Sequence, residues 1–158
     1  MSALVMIPTY NERENISELI PKVLSSYPGI HALVVDDDSE DGTGKIAEEM
    51  TSRFSNLHVL RRKGKRGRGF AGIEGFQWAI QKGFDPILEM DADLSHDPKE
   101  ISQFLEKIKN SEVVIGSRFI ADGQQTGRSF LRVFLSTAVN RFLRFIFGFK
   151  VRDRKSVV

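Results

Sequence analysis

Short apolar runs alternate with amphipathic stretches along most of the chain. Each run is bounded by proline, glycine or charged residues, which is typical of buried strands. The pattern predicts five strands, at residues 3–7, 30–35, 57–60, 86–90 and 113–115. Pro8 follows the first run directly and predicts the end of that strand.

The stretches between these runs have helical periodicity. Helices are predicted at residues 16–24, 44–54, 71–80 and 99–108. In the first of them the apolar residues follow 3, 1, 3, 1 spacing, which places them on one helix face. Asp97 and Pro98 open the last helix as an N-cap followed by proline in the first turn. Alternating strands and helices predict an α/β fold with a mainly parallel sheet and helices on both faces.

Composition narrows the class of protein. A chain of 158 residues is long enough for one domain with a single core, and it is 41% hydrophobic and 28% charged. No apolar run reaches the length of a membrane span. The absence of cysteine excludes disulfides and thiolate metal sites. The formal net charge of +2 is too small to indicate a nucleic-acid partner.

Acidic residues follow several predicted strands. Asp37 lies just after the second strand, and Asp91 and Asp93 follow the fourth. Ligands of parallel sheets bind at the carboxyl ends of strands, and clustered carboxylates normally require a cation. Oxygen ligands suit Mg²⁺ or Mn²⁺. Helix capping is the alternative role, which we expect for Asp97 and in part for Asp41, whereas Asp91 and Asp93 together predict a metal site.

Four motifs in fixed order carry a family resemblance. They are PTYNE at 8–12, VDDDSEDGT at 35–43, MDADLSHDP at 90–98 and GSRF at 116–119. Together they resemble glycosyltransferase family 2, whose members have the GT-A fold, a Rossmann-like sheet. The likeness covers residues 3–153 and is greatest to the polyprenol- or dolichol-phosphate mannosyltransferases. It implies inverting, metal-assisted transfer of mannose from GDP-mannose to a polyprenyl (dolichyl) phosphate, with Mg²⁺ or Mn²⁺ as the cofactor.

The resemblance also implies roles for particular residues. The nucleotide-sugar site would comprise Pro8, Tyr10, Glu12, Val35, Asp37, Asp91, Ala92, Asp93 and Arg118. Asp91 and Asp93 would hold the metal, with Ser95 nearby, and they count with Arg118 as catalytic residues. Arg118, Arg132 and Ser136 would meet the acceptor phosphate. For Tyr10, a packed surface aromatic is the alternative interpretation.

Residues 61–72, RRKGKRGRGFAG, combine six basic side chains with four glycines. This composition predicts a flexible basic loop over a diphosphate or near anionic lipid, and a nucleic-acid role is not expected. Family members usually have G-L-G where this chain has Gly67-Arg68-Gly69.

An acceptor phosphate is already an anion and needs little help from a general base. We therefore expect structural roles for His31 and His58, and also for His96, which follows the metal triplet.

The last segment departs from the pattern of the rest. Residues 130–147 predict an amphipathic helix, rich in phenylalanine and arginine, that lies in a membrane interface or packs in the core. Arg132 and Ser136 are four apart and share a face of it. After Asp153 the sequence leaves the family pattern, so we expect a C-terminally truncated domain, with residues 1–120 binding the nucleotide sugar and an incomplete acceptor and membrane part at 121–158.

Two functional alternatives stay open at this point. The first is a UDP-sugar donor, because relatives with the same metal-binding motif use UDP-sugars. The second is a non-catalytic nucleotide-binding fragment, as expected of a domain that lacks its end. A dinucleotide-dependent dehydrogenase is disfavoured, because no G-x-G-x-x-G follows the first strand. A lipid acceptor implies a cytoplasmic protein that is peripheral at the cytoplasmic face of a membrane.

Overall fold

Four strands form one parallel sheet. The computed structural model describes residues 2–116. The chain divides into two units after Glu112, and the sheet belongs to the first of them. The strand order is β3-β2-β1-β4. The strands are β1 Leu4–Thr9, β2 His31–Asp36, β3 Leu57–Arg61 and β4 Ile87–Glu89.

Helices lie where the periodicity places them. They are α1 Arg13–Ser26, α2 Thr43–Met50, α3 Arg68–Gln81 and α4 Ile101–Ile108, the last preceded by a 3₁₀ turn at Pro98–Glu100. The Asp97 side chain accepts a hydrogen bond from the Lys99 amide at 3.0 Å, so the predicted cap is confirmed. Within residues 2–116 no helix is long and apolar enough to cross a bilayer.

The core occupies both faces of the sheet. On one face α3 covers a cluster that includes Met6 and Val35. Because successive residues of a strand point to opposite faces, Val5 and Ile7 point away from α3, and they too are fully buried. The helix α1 contributes its own buried face and packs with α2, α4 and β2. The predicted α/β fold, a parallel sheet covered by helices, is confirmed.

The first strand continues past Pro8, where the sequence predicted its end. The carbonyl of Met6 accepts from the Met90 amide on the β4 side, whereas that of Thr9 accepts from the Asp37 amide on the β2 side. By this alternation the nitrogen of Pro8 faces the β4 side. Pairing with β4 stops at Met6. Proline therefore costs the sheet no hydrogen bond at this position.

The predicted fifth strand is not observed. Residues 113–116 carry no secondary structure, and the Val113 side chain is 69% exposed. The apolar pattern of three residues was too short to distinguish a strand from an extended loop.

Gly75 marks the closest approach of α3 to the sheet. A Cβ at this position would lie 2.3 Å from Met6 Sδ and 2.9 Å from Val35 Cγ2. Gly75→Ala should therefore lower the free energy of unfolding by about 1–3 kcal/mol through overpacking. Gly72 lies one turn earlier with no atom within 4 Å of such a Cβ. Gly72→Ala is the matched control and should raise the free energy of unfolding by about 0.5–1 kcal/mol in urea titrations. Equal stabilisation by both changes would contradict the tight packing.

His31 and His58 belong to an aromatic cluster on neighbouring strands. Their rings stack at a centroid distance of 5.3 Å, with His31 Nδ1 3.1 Å from His58 Nε2. Trp78 and Phe84 complete the cluster. The structural role expected for these two histidines agrees with this packing. Burial, followed by the neighbouring His31 and Lys82, lowers the pKa of His58.

This pKa shift predicts a pH dependence of stability. A histidine with a lowered pKa binds fewer protons in the folded than in the unfolded state, so its contribution is full above the ordinary pKa of about 6.5 and is lost as pH falls below it. The urea concentration at the midpoint of unfolding should decrease when the pH is lowered from 7.5 to 5.5. His58→Phe should reduce that fall, because phenylalanine keeps the aromatic packing without the titration. Parallel pH profiles for the two proteins would exclude His58 as the cause.

Candidate functional site

The carboxyl ends of β1, β2 and β4 surround one open cavity. Its volume is about 260 Å³. The residues that line it are Pro8, Thr9, Tyr10, Glu12, Asp37, Arg68, Ala71, Asp91, Ala92 and Asp93. The loops after three separate strands contribute to this lining, together with the start of α3. The strand-end rule for parallel sheets therefore locates the cavity correctly.

The structure brings together seven of the residues that the sequence singled out for nucleotide-sugar binding. These are Pro8, Tyr10, Glu12, Asp37, Asp91, Ala92 and Asp93. Val35 is different, because it is fully buried in the core against α3 and does not line the cavity. Any contribution from its side chain to a bound ligand is thus indirect. Arg118, Arg132 and Ser136 lie outside the described residues.

Asp91 and Asp93 reach the same cavity from a bend that follows β4. The strand β4 ends at Glu89, and Asp91, Ala92 and Asp93 lie in the turn beyond it. Ala92, which separates the two aspartates in the sequence, is buried. The Asp93 side chain accepts a hydrogen bond from the Ser95 amide at 3.0 Å. Burial raises the pKa of Asp93, but the hydrogen bonds from Ser95 outweigh it and leave the pKa below its usual value. Asp93 is therefore a carboxylate at neutral pH.

This pair of carboxylates fits a divalent cation that also binds its substrate. Among residues 2–116 no group of three or more acidic, histidine or cysteine side chains converges on one point. Mg²⁺ is usually held by one or two carboxylates and completes its shell with water and substrate phosphates. Asp91 and Asp93 match that arrangement, and His96 is not a competing ligand through Nδ1, which faces the Asp91 amide at 3.4 Å.

The loops after β1 and β2 fasten each other in place. The Asn11 amide donates to Ser39 Oγ at 3.0 Å, and the Glu12 amide donates to Thr43 Oγ1 at 2.9 Å. Asp41 accepts from the amide of Arg13 with one oxygen and from that of Thr43 with the other. The N-cap position of α2 is Gly42 rather than Asp41, so the capping role expected in part for Asp41 is replaced by a bond to the Thr43 amide from one residue earlier. These bonds fix the backbone on which Tyr10 and Glu12 face the cavity.

Asp37 is held by a buried arginine that the sequence did not single out. Arg62 Nη1 pairs with Asp37 Oδ1, and Arg62 Nη2 donates to Glu74 Oε1 at 2.8 Å. The other oxygen of Asp37 accepts from the Gly67 amide at 2.6 Å. Hydrogen bonding to Glu74, together with the charge of Asp37, keeps the pKa of Arg62 above its ordinary value despite burial. Arg62 thereby connects β2, α3 and the loop between β3 and α3.

Acidic side chains neutralise most of the basic segment 61–68. Its four arginines all make ion pairs: Arg61 with Asp36 and Glu48, Arg62 with Asp37 and Glu74, Arg66 with Asp38 and Glu40, and Arg68 with Glu89 and Asp91. Of these arginines only Arg68 lines the cavity. These ion pairs connect the segment to residues at the strand ends and in α2 and α3. The contact of this loop with a diphosphate or anionic lipid that was expected from the sequence stays a prediction.

Tyr10 is covered by one of these arginines. The Arg66 guanidinium lies 5.1 Å from the centroid of the Tyr10 ring and donates to its hydroxyl at 3.0 Å. The same guanidinium group holds the acidic loop after β2 by donating to the Asp38 carbonyl and to Glu40. Tyr10 is thus neither a free platform nor a core residue. It lines the cavity, and the residue is 45% exposed.

Left-handed backbone recurs at the rim of the cavity. Within residues 2–116, the non-glycine residues with positive φ are Asn11 at 56°, Asp38 at 58° and Leu94 at 59°. One follows each of the three strands that reach the cavity. Asparagine and aspartate tolerate this conformation, but leucine rarely adopts it. Such strain persists where the surrounding structure fixes a functional loop, and here it turns the chain directly after Asp93.

Comparison with known proteins assigns the family. Residues 4–155 match the family described as glycosyl transferase family 2, which is most of the chain. The chain belongs to glycosyltransferase family 2. The four motifs from which the resemblance was inferred all lie within the matched residues, and the cavity is built from three of them.

Two relatives of this family 2 chain illustrate the likeness. It is 40% identical over 152 residues to the polyprenol monophosphomannose synthase of Mycolicibacterium smegmatis. The aligned region covers 95% of this chain and 57% of that protein. It is 37% identical over 153 residues to the undecaprenyl-phosphate mannosyltransferase of Micrococcus luteus, which covers 97% of this chain and 63% of that protein. The chain thus spans less than two thirds of the length of either relative.

The fold of the domain also has solved counterparts. The mannosyltransferase PcManGT from Pyrobaculum calidifontis, solved with GDP-Man and Mn²⁺, superimposes with a TM-score of 0.58 at 20% sequence identity. The match covers 72% of this chain and 34% of the other. At this identity the likeness shows the shared fold, which is the GT-A arrangement expected from the motifs.

Proposed function

We propose that this family 2 chain carries the donor site of an enzyme that transfers mannose from GDP-mannose to a polyprenyl phosphate. The observation that carries the proposal is the cavity in which Tyr10, Glu12 and Asp37 face Asp91 and Asp93. One side offers a ring and hydrogen-bond acceptors to a nucleoside. The other offers two carboxylates to a cation that neutralises a diphosphate. The names of the two relatives support a polyprenyl phosphate acceptor and mannose as the sugar.

The carboxylates of Asp91 and Asp93 would hold Mg²⁺ or Mn²⁺. The cation would supply Lewis-acid stabilisation of the departing diphosphate. The hydrogen bonds from Ser95 fix the orientation of Asp93 and keep it ionised, so that it stays ready to bind metal. Glu12 and Asp37 accept hydrogen bonds from base or ribose groups, and Asp37 is oriented for this by Arg62 and the Gly67 amide.

The transfer itself is a single displacement with inversion. An oxygen of the acceptor phosphate forms a bond to the anomeric carbon while the bond from that carbon to the nucleoside diphosphate breaks. The attacking oxygen is already anionic, so no proton has to be removed. Among the residues that the structure describes, the cavity is lined by carboxylates and Arg68 and by no histidine.

The acceptor side of the proposal rests on the sequence. Arg118, Arg132 and Ser136 would hold the lipid phosphate, and the amphipathic stretch 130–147 would bring the domain to the headgroup level of a membrane. A polyprenyl phosphate acceptor would place the protein at the cytoplasmic face of that membrane. These three residues lie beyond the part of the chain that the structure describes.

Product formation tests the proposal. The full chain is incubated with Mn²⁺, a short polyprenyl phosphate and either GDP-mannose or UDP-glucose, and the lipid product is detected by mass spectrometry. Calorimetry with GDP, with Mn²⁺ or with chelator, is run in parallel. Mannosyl phosphate lipid from GDP-mannose supports the proposal, and product from UDP-glucose alone would favour a UDP-sugar. Metal-dependent GDP binding without product from either donor would favour the non-catalytic nucleotide-binding alternative.

A further inference from the structure

Arg68 occupies the place where a metal ion would reach Asp91. It is the first residue of α3, and its side chain lines the cavity. Its Nη2 lies 2.5 Å from Asp91 Oδ1 and 3.4 Å from Glu89 Oε1. The guanidinium thus neutralises one of the two carboxylates of the metal pair. Asp93 has no ion pair among the described residues, so of the two carboxylates only Asp91 is neutralised by an arginine there.

This ion pair is built so that it can open. The Arg68 side chain is 58% exposed, whereas that of Asp91 is only 25% exposed. Exposed pairs between arginine and a carboxylate are weak and exchange readily. A divalent cation carries twice the charge of the guanidinium, so a cation held by Asp91 and Asp93 would compete with Arg68 for Asp91. The two cations cannot share the same oxygen without repulsion.

A displaced Arg68 remains within reach of the ligand. Its backbone is fixed at the start of α3, where the Gly67 amide is bonded to Asp37. Its guanidinium has a planar fork of donors that matches two oxygens of a phosphate. A diphosphate held by a cation on Asp91 and Asp93 brings such oxygens into the same cavity. Leucine, which the family resemblance predicts at this position, offers no donor at all.

We propose that Arg68 is a switching ligand of the donor site. In the empty cavity it shields Asp91 and lowers the affinity for free metal. When metal arrives with a nucleoside diphosphate, Arg68 leaves Asp91 and binds the diphosphate oxygens. Metal and nucleotide are thereby made to bind together rather than separately. This inference rests on the proposed donor site, and it assigns Arg68 a role in binding the diphosphate.

Arg68→Leu separates the two parts of this role. Mn²⁺ alone, followed by electron paramagnetic resonance, should bind the variant up to about fivefold more tightly, because the competing ion pair is gone. GDP with saturating Mn²⁺, followed by calorimetry, should bind about ten- to a hundredfold more weakly, because a charged hydrogen bond is lost. Arg68→Lys keeps the charge without the fork and should lie between the parent and Arg68→Leu in GDP affinity.

Lys63→Leu is the matched control. It removes one positive charge from the same basic segment, and Lys63 is exposed with no ion pair in the described part of the chain. It should change neither affinity by more than about twofold, as expected for a screened surface charge. Equal effects of Lys63→Leu and Arg68→Leu would reduce the role of Arg68 to net charge and overturn the proposal.

Two other outcomes also overturn it. If Arg68→Leu leaves Mn²⁺ affinity unchanged or lowers it, Arg68 does not compete for Asp91. If Arg68→Leu leaves GDP affinity unchanged in the presence of Mn²⁺, Arg68 does not bind the diphosphate. Failure of the proposed function is recognised separately, because the parent protein would then not bind GDP at all in the presence of Mn²⁺.

Discussion

Arg62→Met should destabilise the protein by about 3–5 kcal/mol, the range measured when one partner of a buried ion pair is removed. The Arg62 side chain is 5% exposed, and that of its partner Asp37 is 8% exposed. Methionine fills most of the space but leaves the Asp37 carboxylate buried with only the Gly67 amide as a donor. Urea unfolding followed by circular dichroism measures the loss.

The neighbouring arginine provides the control for this prediction. Arg66→Met removes the same charge from the same segment, but the partners of Arg66, Asp38 and Glu40, are well exposed. Its effect on the midpoint of urea unfolding should be much smaller than that of Arg62→Met, as for other exposed ion pairs. Similar losses for both variants would show that Arg62 acts only as one more surface charge. Adding Asp37→Leu to Arg62→Met should restore part of the stability, because no unpaired charge is then left inside.

Most of the fold could be predicted from the sequence, for a simple physical reason. Parallel strands are buried on both faces, so they appear as uninterrupted apolar runs. The runs at 3–7 and 30–35 became β1 and β2 with their interiors fully buried. The helices between them were visible because each has only one buried face. Residues 113–115 failed as a strand, because a run of three carries too little of this pattern.

The site could be predicted as far as the strand ends alone define it. Asp91 and Asp93 were placed in one cavity because residues after parallel strands meet at one edge. Val35 shows the limit of reading along a motif. It precedes three aspartates in the sequence, but the alternation of the strand turns its side chain into the core against α3.

The ion-pair partners of Arg62 and Arg68 could not be predicted from the sequence, because they come from other parts of the fold. The register pairs Asp36 with Arg61, so the residues that follow, Asp37 and Arg62, also meet. That pairing depends on β3 lying beside β2 rather than elsewhere in the sheet. From the sequence alone, a cluster of arginines predicts a basic loop. The strand order is needed to identify the carboxylate that pairs with each arginine.

Asp93→Ala should reduce GDP binding in the presence of Mn²⁺ to the level seen with chelator. Two carboxylates would hold the cation, and loss of one ligand should cost about a hundredfold or more in metal affinity, since loss of an outer-shell partner alone costs about 10–100-fold. Without ligand the melting temperature should stay equal or fall slightly, because Asp93 is exposed but the hydrogen bonds from Ser95 that lower its pKa are lost. Glu106→Ala, an exposed carboxylate outside the cavity, is the control and should change neither property.

Asp93→Asn tests whether the loss of GDP binding in Asp93→Ala comes from the missing charge or from a changed backbone turn. Asparagine keeps an oxygen that can accept from the Ser95 amide, and it therefore preserves the turn in which Leu94 has a φ of 59°. If Asp93 binds metal, Asp93→Asn should lose metal-dependent GDP binding almost as fully as Asp93→Ala, because a neutral amide is a much weaker ligand for Mn²⁺ than a carboxylate. If Asp93→Asn binds GDP with Mn²⁺ as the parent does while Asp93→Ala does not, the carboxylate serves only to shape the turn. The metal would then have to be held by Asp91 without it.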